Sequence, residues 1–333
     1  MPDLRLRYRP YDDLAEPNVI VDGTPTTGTT LTLSHWPGSP AVPADVEADL
    51  SAEMAFRYLD HPEVLHGAAT AVSNNHFDQD GLVSTFALTR PEEARARRAL
   101  LEDLAAAGDF ATYRHRAAAR ASMVVSALTE PERSPFGPLP EDHGELTALL
   151  YTEALAWLPD LVDHVERHRD LWGDEDDQLA QSEAALDDGR VTVVEVPSVD
   201  LAVVTVADGL RWWGHRFGGR RYDGVHPMAL HRRTRCGAVL LWSAGSYRFT
   251  YRYESWVQYR SRAIRPRVDL GPLAAALSEL DAVGWAAEPV SGLTPELAPE
   301  AGQPSSLPLE VVQRTIVAHL ASAPPAFDPY VRS

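Results

Sequence analysis

Between Ser73 and Ser84 the chain reads Ser-Asn-Asn-His-Phe-Asp-Gln-Asp-Gly-Leu-Val-Ser, which gathers His76, Asp78 and Asp80 into a few residues. Alternate residues of an extended segment share a face, so these three side chains point the same way. Two carboxylates and an imidazole aimed at one point repel or go unpaired unless a cation holds them. Hard oxygen donors with one ring nitrogen suit Mn²⁺ or Mg²⁺ better than structural zinc. A helix cap accounts for one aspartate at such a turn, but not for two with a histidine and two asparagines beside them. The expected chemistry is therefore divalent-metal binding, with Gly81 permitting the tight backbone the turn needs.

Residues His76 to Ser84 resemble the first motif of the DHH phosphoesterase superfamily, an Asp-x-Asp-Gly/Ala-x-x-Ser/Gly core between a strand and a helix. An acidic residue precedes the first core aspartate by two positions in RecJ-like members, and His76 stands there. A histidine precedes it by four in manganese pyrophosphatases, and Asn74 stands there. The superfamily's Asp-His-His triplet does not occur in the chain. The resemblance implies a metal-dependent hydrolase, a phosphoesterase or pyrophosphatase of a small phosphorylated substrate. His76, Asp78, Asp80 and a later aspartate, Asp109 in Ala-Gly-Asp-Phe, would hold one or two cations that activate water. The turn Phe77-Asp78-Gln79-Asp80-Gly81 is also similar to that of haloacid-dehalogenase-like phosphatases, with Asp78 as nucleophile and Asp80 as acid/base. That family's usual lysine has no counterpart, because all 30 basic side chains of this chain are arginine. A third reading is a non-catalytic metal- or ligand-binding protein.

Further candidates stand outside the motif. Asp22 and His35 follow short apolar runs and could converge on the same crevice, and Tyr113 and His115 would accompany Asp109 there. The alternatives are a turn aspartate after Gly108 and a histidine bonded to backbone. Downstream, His215, Arg216, Arg220 and Arg221 lie in a Gly/Arg-rich stretch that offers bidentate donors to a substrate phosphate, or else balances acidic neighbours. Arg252, Arg260 and Arg262 read as solvent-facing, Cys236 as a small buried residue, and Glu141-Asp142-His143 and Asp163-His164 as surface charge.

These residues need elements to place them. Asn18 to Val21, Leu31 to Ser34 and Ala68 to Val72 read as strands. Val46, Leu50, Met54 and Tyr58 mark a helix over about 45 to 59. A second helix begins after the motif, and Thr89-Arg90-Pro91-Glu92 reads as a capping box opening another that Gly108 stops. Strand and helix alternation predicts an α/β fold with a mostly parallel, doubly wound N-terminal domain, residues 1–189, carrying the cluster at the carboxyl edge of its sheet. Helices are expected over about 114–128 and 145–172, with the charged run from Gly173 to Asp177 as a loop. From Arg190 the pattern turns to strands, with Tyr247, Phe249, Tyr251 and Tyr253 alternating as core. Ser243-Ala244-Gly245-Ser246 reads as a hairpin turn. A smaller, partly antiparallel α+β domain over 190–293 follows, then a linker and C-terminal helix over 294–333.

Composition narrows the partners. A formal charge of −18 over 333 residues opposes nucleic acid and anionic membranes, leaving small phosphorylated molecules as the favoured partner. The absence of lysine excludes a Walker loop and Schiff-base chemistry. One cysteine, no signal-peptide pattern and no long apolar run point to a cytoplasmic protein.

Overall fold

The computed structural model describes residues 5–61, 67–207 and 225–330, together with the backbone of 215–216 and 220–221. Two compact units divide the chain. The first comprises Met1–Asp176 with Tyr259–Ser261, and the second Asp177–Gln258 with Arg262–Ser333.

In the first unit, β1 (Arg7–Tyr8), β2 (Asn18–Val21), β3 (Thr29–Leu33) and β4 (Ala71–Ser73) form a sheet in the order β1-β4-β2-β3. Every pairing in it is parallel, as expected. Its strands are short, and the two central ones, β2 and β4, are buried throughout, the pattern of a parallel sheet covered on both faces. Helix α1 (Ser51–Asp60) lies between β3 and β4 in the chain, and α2 (Gln79–Thr89) follows β4. Then come α3 (Pro91–Arg95), α4 (Arg98–Asp109), α5 (Arg116–Ala127) and α6 (His143–Asp163), with α7 (Arg169–Asp187) running on into the second unit. The Gln79 side-chain amide ties α2 to α5: its nitrogen lies 2.8 Å from the Ser122 carbonyl, 3.1 Å from the Ser122 hydroxyl and 2.9 Å from the Ser126 hydroxyl.

Local expectations shift here. Thr89 caps nothing: its hydroxyl donates back to the carbonyls of Thr85 and Phe86, closing α2, while Pro91 opens α3. Gly108 lies inside α4, one residue before its end, and its place is set by packing: a Cβ there would fall 2.5 Å from Cβ of Gln79. Residues 173–177 are helical, part of α7, since Asp176 is buried against Arg116 and Arg120 at 2.5 and 3.0 Å.

The second unit is built on a six-stranded sheet. Its strands are β5 (Val191–Val196), β6 (Leu201–Val206), β9 (Ala238–Ser243), β10 (Ser246–Tyr251), β12 (Trp285–Ala287) and β13 (Glu296–Pro299), and the order is β12-β13-β10-β9-β6-β5. Short pairs β7 (His215–Arg216) with β8 (Arg220–Arg221), and β11 (Arg267–Val268) with β14 (Pro325–Phe327), stand apart from it. Only β6 and β9 are parallel neighbours within the large sheet. The hairpin between β9 and β10 turns on Ala244 and Gly245, both at positive φ (48° and 81°), the backbone a two-residue turn of matching twist requires. The short helix α8 (Pro227–His231) precedes β9 in the chain, and one face of the sheet, with Val203, Leu240, Phe249 and Leu297, packs under α9 (Gly271–Leu280) and α10 (Leu309–Ser322). Tyr247, Tyr251 and Tyr253 are buried as expected.

The boundary between units falls at 176/177 and not at 189/190. Residues 294–333 are no separate linker: they supply β13 and α10 to the second unit. Arg252 is buried and ion-paired with Glu254, so it does not face solvent, whereas Arg260 is paired with Glu47 at 3.0 Å.

Candidate metal centre

Asp22, His35 and the His76–Asp80 turn follow β2, β3 and β4 directly, so the parallel sheet delivers them to one edge. That edge is where open α/β sheets bind ligands. Asp22 adopts a left-handed backbone (φ 44°) that ends β2 and turns its carboxylate inward, where it is buried.

Two groups of side chains that could hold a metal ion form around it. In one, Asp22, His35 and Asp80 are all buried and their donor atoms lie within 4.8 Å of one another. In the other, Asp22 meets His76 and Asp78 within the same limit, and these two are only partly buried. Asp22 Oδ1 lies 3.4 Å from His35 Nε2, and its Oδ2 lies 3.4 Å from His76 Nε2. Around His35 Nε2 stand Asp109 Oδ2 at 3.4 Å and Asp80 Oδ2 at 3.9 Å, while His76 Nε2 is 3.0 Å from Asp78 Oδ2.

The tautomer of His35 is set from behind. Its Nδ1 lies 2.5 Å from the carbonyl of Asp49, which can only accept, so Nδ1 carries the proton and Nε2 faces the carboxylates. A neutral imidazole would aim a lone pair at three carboxyl oxygens, those of Asp22, Asp80 and Asp109. Either a proton or a cation must sit there, and the donor set fits a hard divalent cation.

The charges respond accordingly. Burial alone would lower the pKa of His35, but Asp22 and Asp80 outweigh it and raise the ring to about 9. Burial likewise opposes ionisation of His76, yet Asp78 and Asp22 carry its pKa well above the ordinary histidine range. Burial and the charge of Asp22 push Asp80 up to about 8, against the pull of His35. For Asp22, hydrogen bonds and charge from His35 and His76 overcome burial and hold it below the usual carboxylate range.

The aspartates of the motif also cap helices. Asp78 Oδ1 accepts the Gly81 N–H at 2.8 Å at the start of α2. Asp80 reaches across to α1, where its two oxygens accept the N–H groups of Ser51 and Ala52 at 2.8 and 2.7 Å. Ser51 in turn donates its hydroxyl to Asp22 at 2.9 Å. Gly81 serves close approach, not backbone freedom: a Cβ would come within 2.2 Å of Asn74 Nδ2 and 2.5 Å of the Tyr151 hydroxyl.

The structure thus brings together His76, Asp78, Asp80 and Asp109, and adds Asp22 and His35, which their places just after apolar strands had flagged. Asp49 gave no sequence signal. Tyr113 and His115 are held by other partners, Arg116 at 2.9 Å and Asp103 at 3.1 Å. The residues noted as surface charge have local roles: Asp142 caps α6, His143 bonds the Asn75 carbonyl, and Asp163 pairs with Arg97. Cys236 is buried as expected. His215, Arg216, Arg220 and Arg221 have their backbones paired as β7 and β8, and their side chains lie outside the described residues.

No helix among the described residues is long and apolar enough to cross a membrane. No curated protein and no solved structure matches the chain. A family model does match it, over residues 4–331, and the chain belongs to that family, DUF6687, a family of unknown function.

Proposed function

We propose that the chain is a divalent-metal-dependent hydrolase, a phosphoesterase or pyrophosphatase, acting on a small phosphorylated substrate with Mn²⁺ or Mg²⁺. The observation that carries the reading is Asp22, whose two oxygens each face a different histidine at 3.4 Å, so that one carboxylate serves two ligand groups. Bound there, such cations would supply an activated water and clamp phosphoryl oxygens. His35, Asp80 and Asp109 would hold the buried position and His76 with Asp78 the partly open one, so substrate would enter on the His76 side. The likeness of residues 76–84 to the first DHH motif supports the same chemistry. Asp80, fully buried with both oxygens on backbone N–H groups, is a poor proton shuttle, which weighs against a dehalogenase-like role for it. Arg220 and Arg221 remain the proposed phosphate contacts. The acidic charge disfavours nucleic acid and anionic membranes as partners, and a single cysteine suits a cytoplasmic location.

The test is Mn²⁺ calorimetry together with phosphate release from a panel of small phosphorylated compounds. Activity that requires Mn²⁺ or Mg²⁺ and disappears in Asp22→Asn is the expected result. Tight Mn²⁺ binding without hydrolysis would select a non-catalytic binding protein, and no metal binding would overturn the reading.

A further inference from the structure

The chain leaves the second unit at Gln258, contributes Tyr259–Ser261 to the first, and returns to the second at Arg262. This strap lies against the residues behind His35. The N–H groups of Arg260 and Ser261 both donate to Asp49 Oδ1, at 2.5 and 2.8 Å, and Arg260 Nη2 reaches Glu47 Oε1 at 3.0 Å. Tyr259 meets Phe110 edge to face at 5.2 Å between ring centroids, and Phe110 lies 6.2 Å from the His35 ring and next in sequence to Asp109.

Asp49 therefore has two ends with different tasks. Its carboxylate is fixed by the strap, and its carbonyl takes the Nδ1 proton of His35. Asp49 precedes α1 in a non-helical stretch, where no helical hydrogen bonding of its own holds that carbonyl in place. Two N–H groups on one carboxylate oxygen supply the restraint instead.

We propose that Asp49 is a positioning residue for the buried half of the cluster, and that Tyr259–Ser261 is the strap that sets it. The residue would not touch the cation itself. It fixes which nitrogen of His35 faces Asp22, Asp80 and Asp109, and the ring's orientation, a role that histidine partners play at metal sites generally. The strap's second contact is Tyr259 on Phe110, the ring that lies beside the same imidazole. The role of Asp49 in cation binding rests on the metal reading above, whereas its hold on His35 does not.

The experiment uses the full chain and two readouts. Calorimetry with Mn²⁺ compares wild type, Asp49→Ala and Asp49→Asn. Asp49→Ala should weaken Mn²⁺ binding at the buried His35 position about 10- to 100-fold and leave the His76 position within about twofold. Asp49→Asn keeps an acceptor oxygen for the strap and should restore most of the loss, which a general loss of packing would not allow. NMR of the metal-free protein then follows the His35 Nδ1–H, expected as a slowly exchanging downfield resonance in wild type and Asp49→Asn and lost in Asp49→Ala. Should Asp49→Ala fail to fold, Tyr259→Ala takes its place in both measurements. A folded variant that keeps both the ring N–H signal and wild-type Mn²⁺ affinity overturns the proposal. If wild type binds no Mn²⁺, the metal reading fails by itself, and the ring N–H comparison still decides whether Asp49 positions His35.

Discussion

Asp80 caps a helix to which it does not belong: from the first turn of α2 its carboxylate accepts both the Ser51 and Ala52 N–H groups that open α1. One side chain thus joins two helix starts and a ligand group. Replacing it should cost more than a lost ligand. Asp80→Asn turns an NH₂ group toward one of the two N–H donors, and a buried donor left without an acceptor costs about 1–3 kcal/mol. Urea unfolding of the metal-free protein should show that loss, and Mn²⁺ binding should fall as well. Asp78→Asn, at a partly exposed position, should weaken Mn²⁺ binding with a smaller effect on unfolding.

Sharing of Asp22 predicts an asymmetry between variants. His76→Ala should remove only the partly open class of cation site, whereas Asp22→Asn should impair both, because both histidines face the same carboxylate. Asparagine tolerates the left-handed backbone at this position, so the change reports on charge and not on strain. Stoichiometry in Mn²⁺ calorimetry checks this, and a full complement of sites in Asp22→Asn would exclude a shared ligand.

The histidines predict how cation binding depends on pH. His35 is raised from 6.5 to about 9 in the fold, so the stability its proton contributes is complete below about pH 6.5 and lost as pH rises through 9. Asp80, raised from 3.8 to about 8, likewise favours the protonated form in the fold, and its contribution is lost as pH rises toward 8. A cation replaces those protons. Mn²⁺ affinity should therefore increase from pH 6 to 8.5, with proton release visible as a dependence of the calorimetric heat on buffer ionisation enthalpy. The increase in melting temperature given by Mn²⁺ should grow over the same range.

Gly108 offers a purely steric prediction. A Cβ there would fall 2.5 Å from Cβ of Gln79, an atom that cannot swing away, and Gln79 is the residue tying α2 to α5. Gly108→Ala should destabilise the protein by about 1–3 kcal/mol despite alanine's better helix propensity. Thermal unfolding measures it.

Arg220→Ala with Arg221→Ala should raise KM for a phosphorylated substrate and leave Mn²⁺ affinity unchanged. Each charge-assisted hydrogen bond lost to phosphate is worth about 1.5–3 kcal/mol. Equal KM in the double variant would return these arginines to a charge-balancing role.

What could be read from sequence follows how local the determinants are. The parallel strands, the hairpin at Ala244-Gly245 and the cluster at the end of β4 each depend on a few adjacent residues, and each is written in them. Residues 173–177 read as a solvated loop, because the burial of Asp176 depends on Arg116 and Arg120, far off in the chain. β13 read as linker because its Pro and Glu content masks a strand held by neighbours on both sides. The hold of Asp49 on His35 is a main-chain contact, which no side-chain pattern encodes. The cap that Asp80 places on α1 joins positions separated by 28 residues or more.

The strap has a consequence for dissecting the molecule. Since Tyr259–Ser261 belongs to the first unit and both its flanks to the second, no single break in the chain yields two whole units. A fragment ending at Asp176 would contain every residue of the cluster, yet Asp49 Oδ1 would have lost both N–H groups that hold it. Such a fragment is a poor stand-in for the intact protein, and a weak result from it would say nothing about the chemistry. A synthetic peptide spanning Tyr259–Ser261, added back to the fragment, would be the minimal complementation assay.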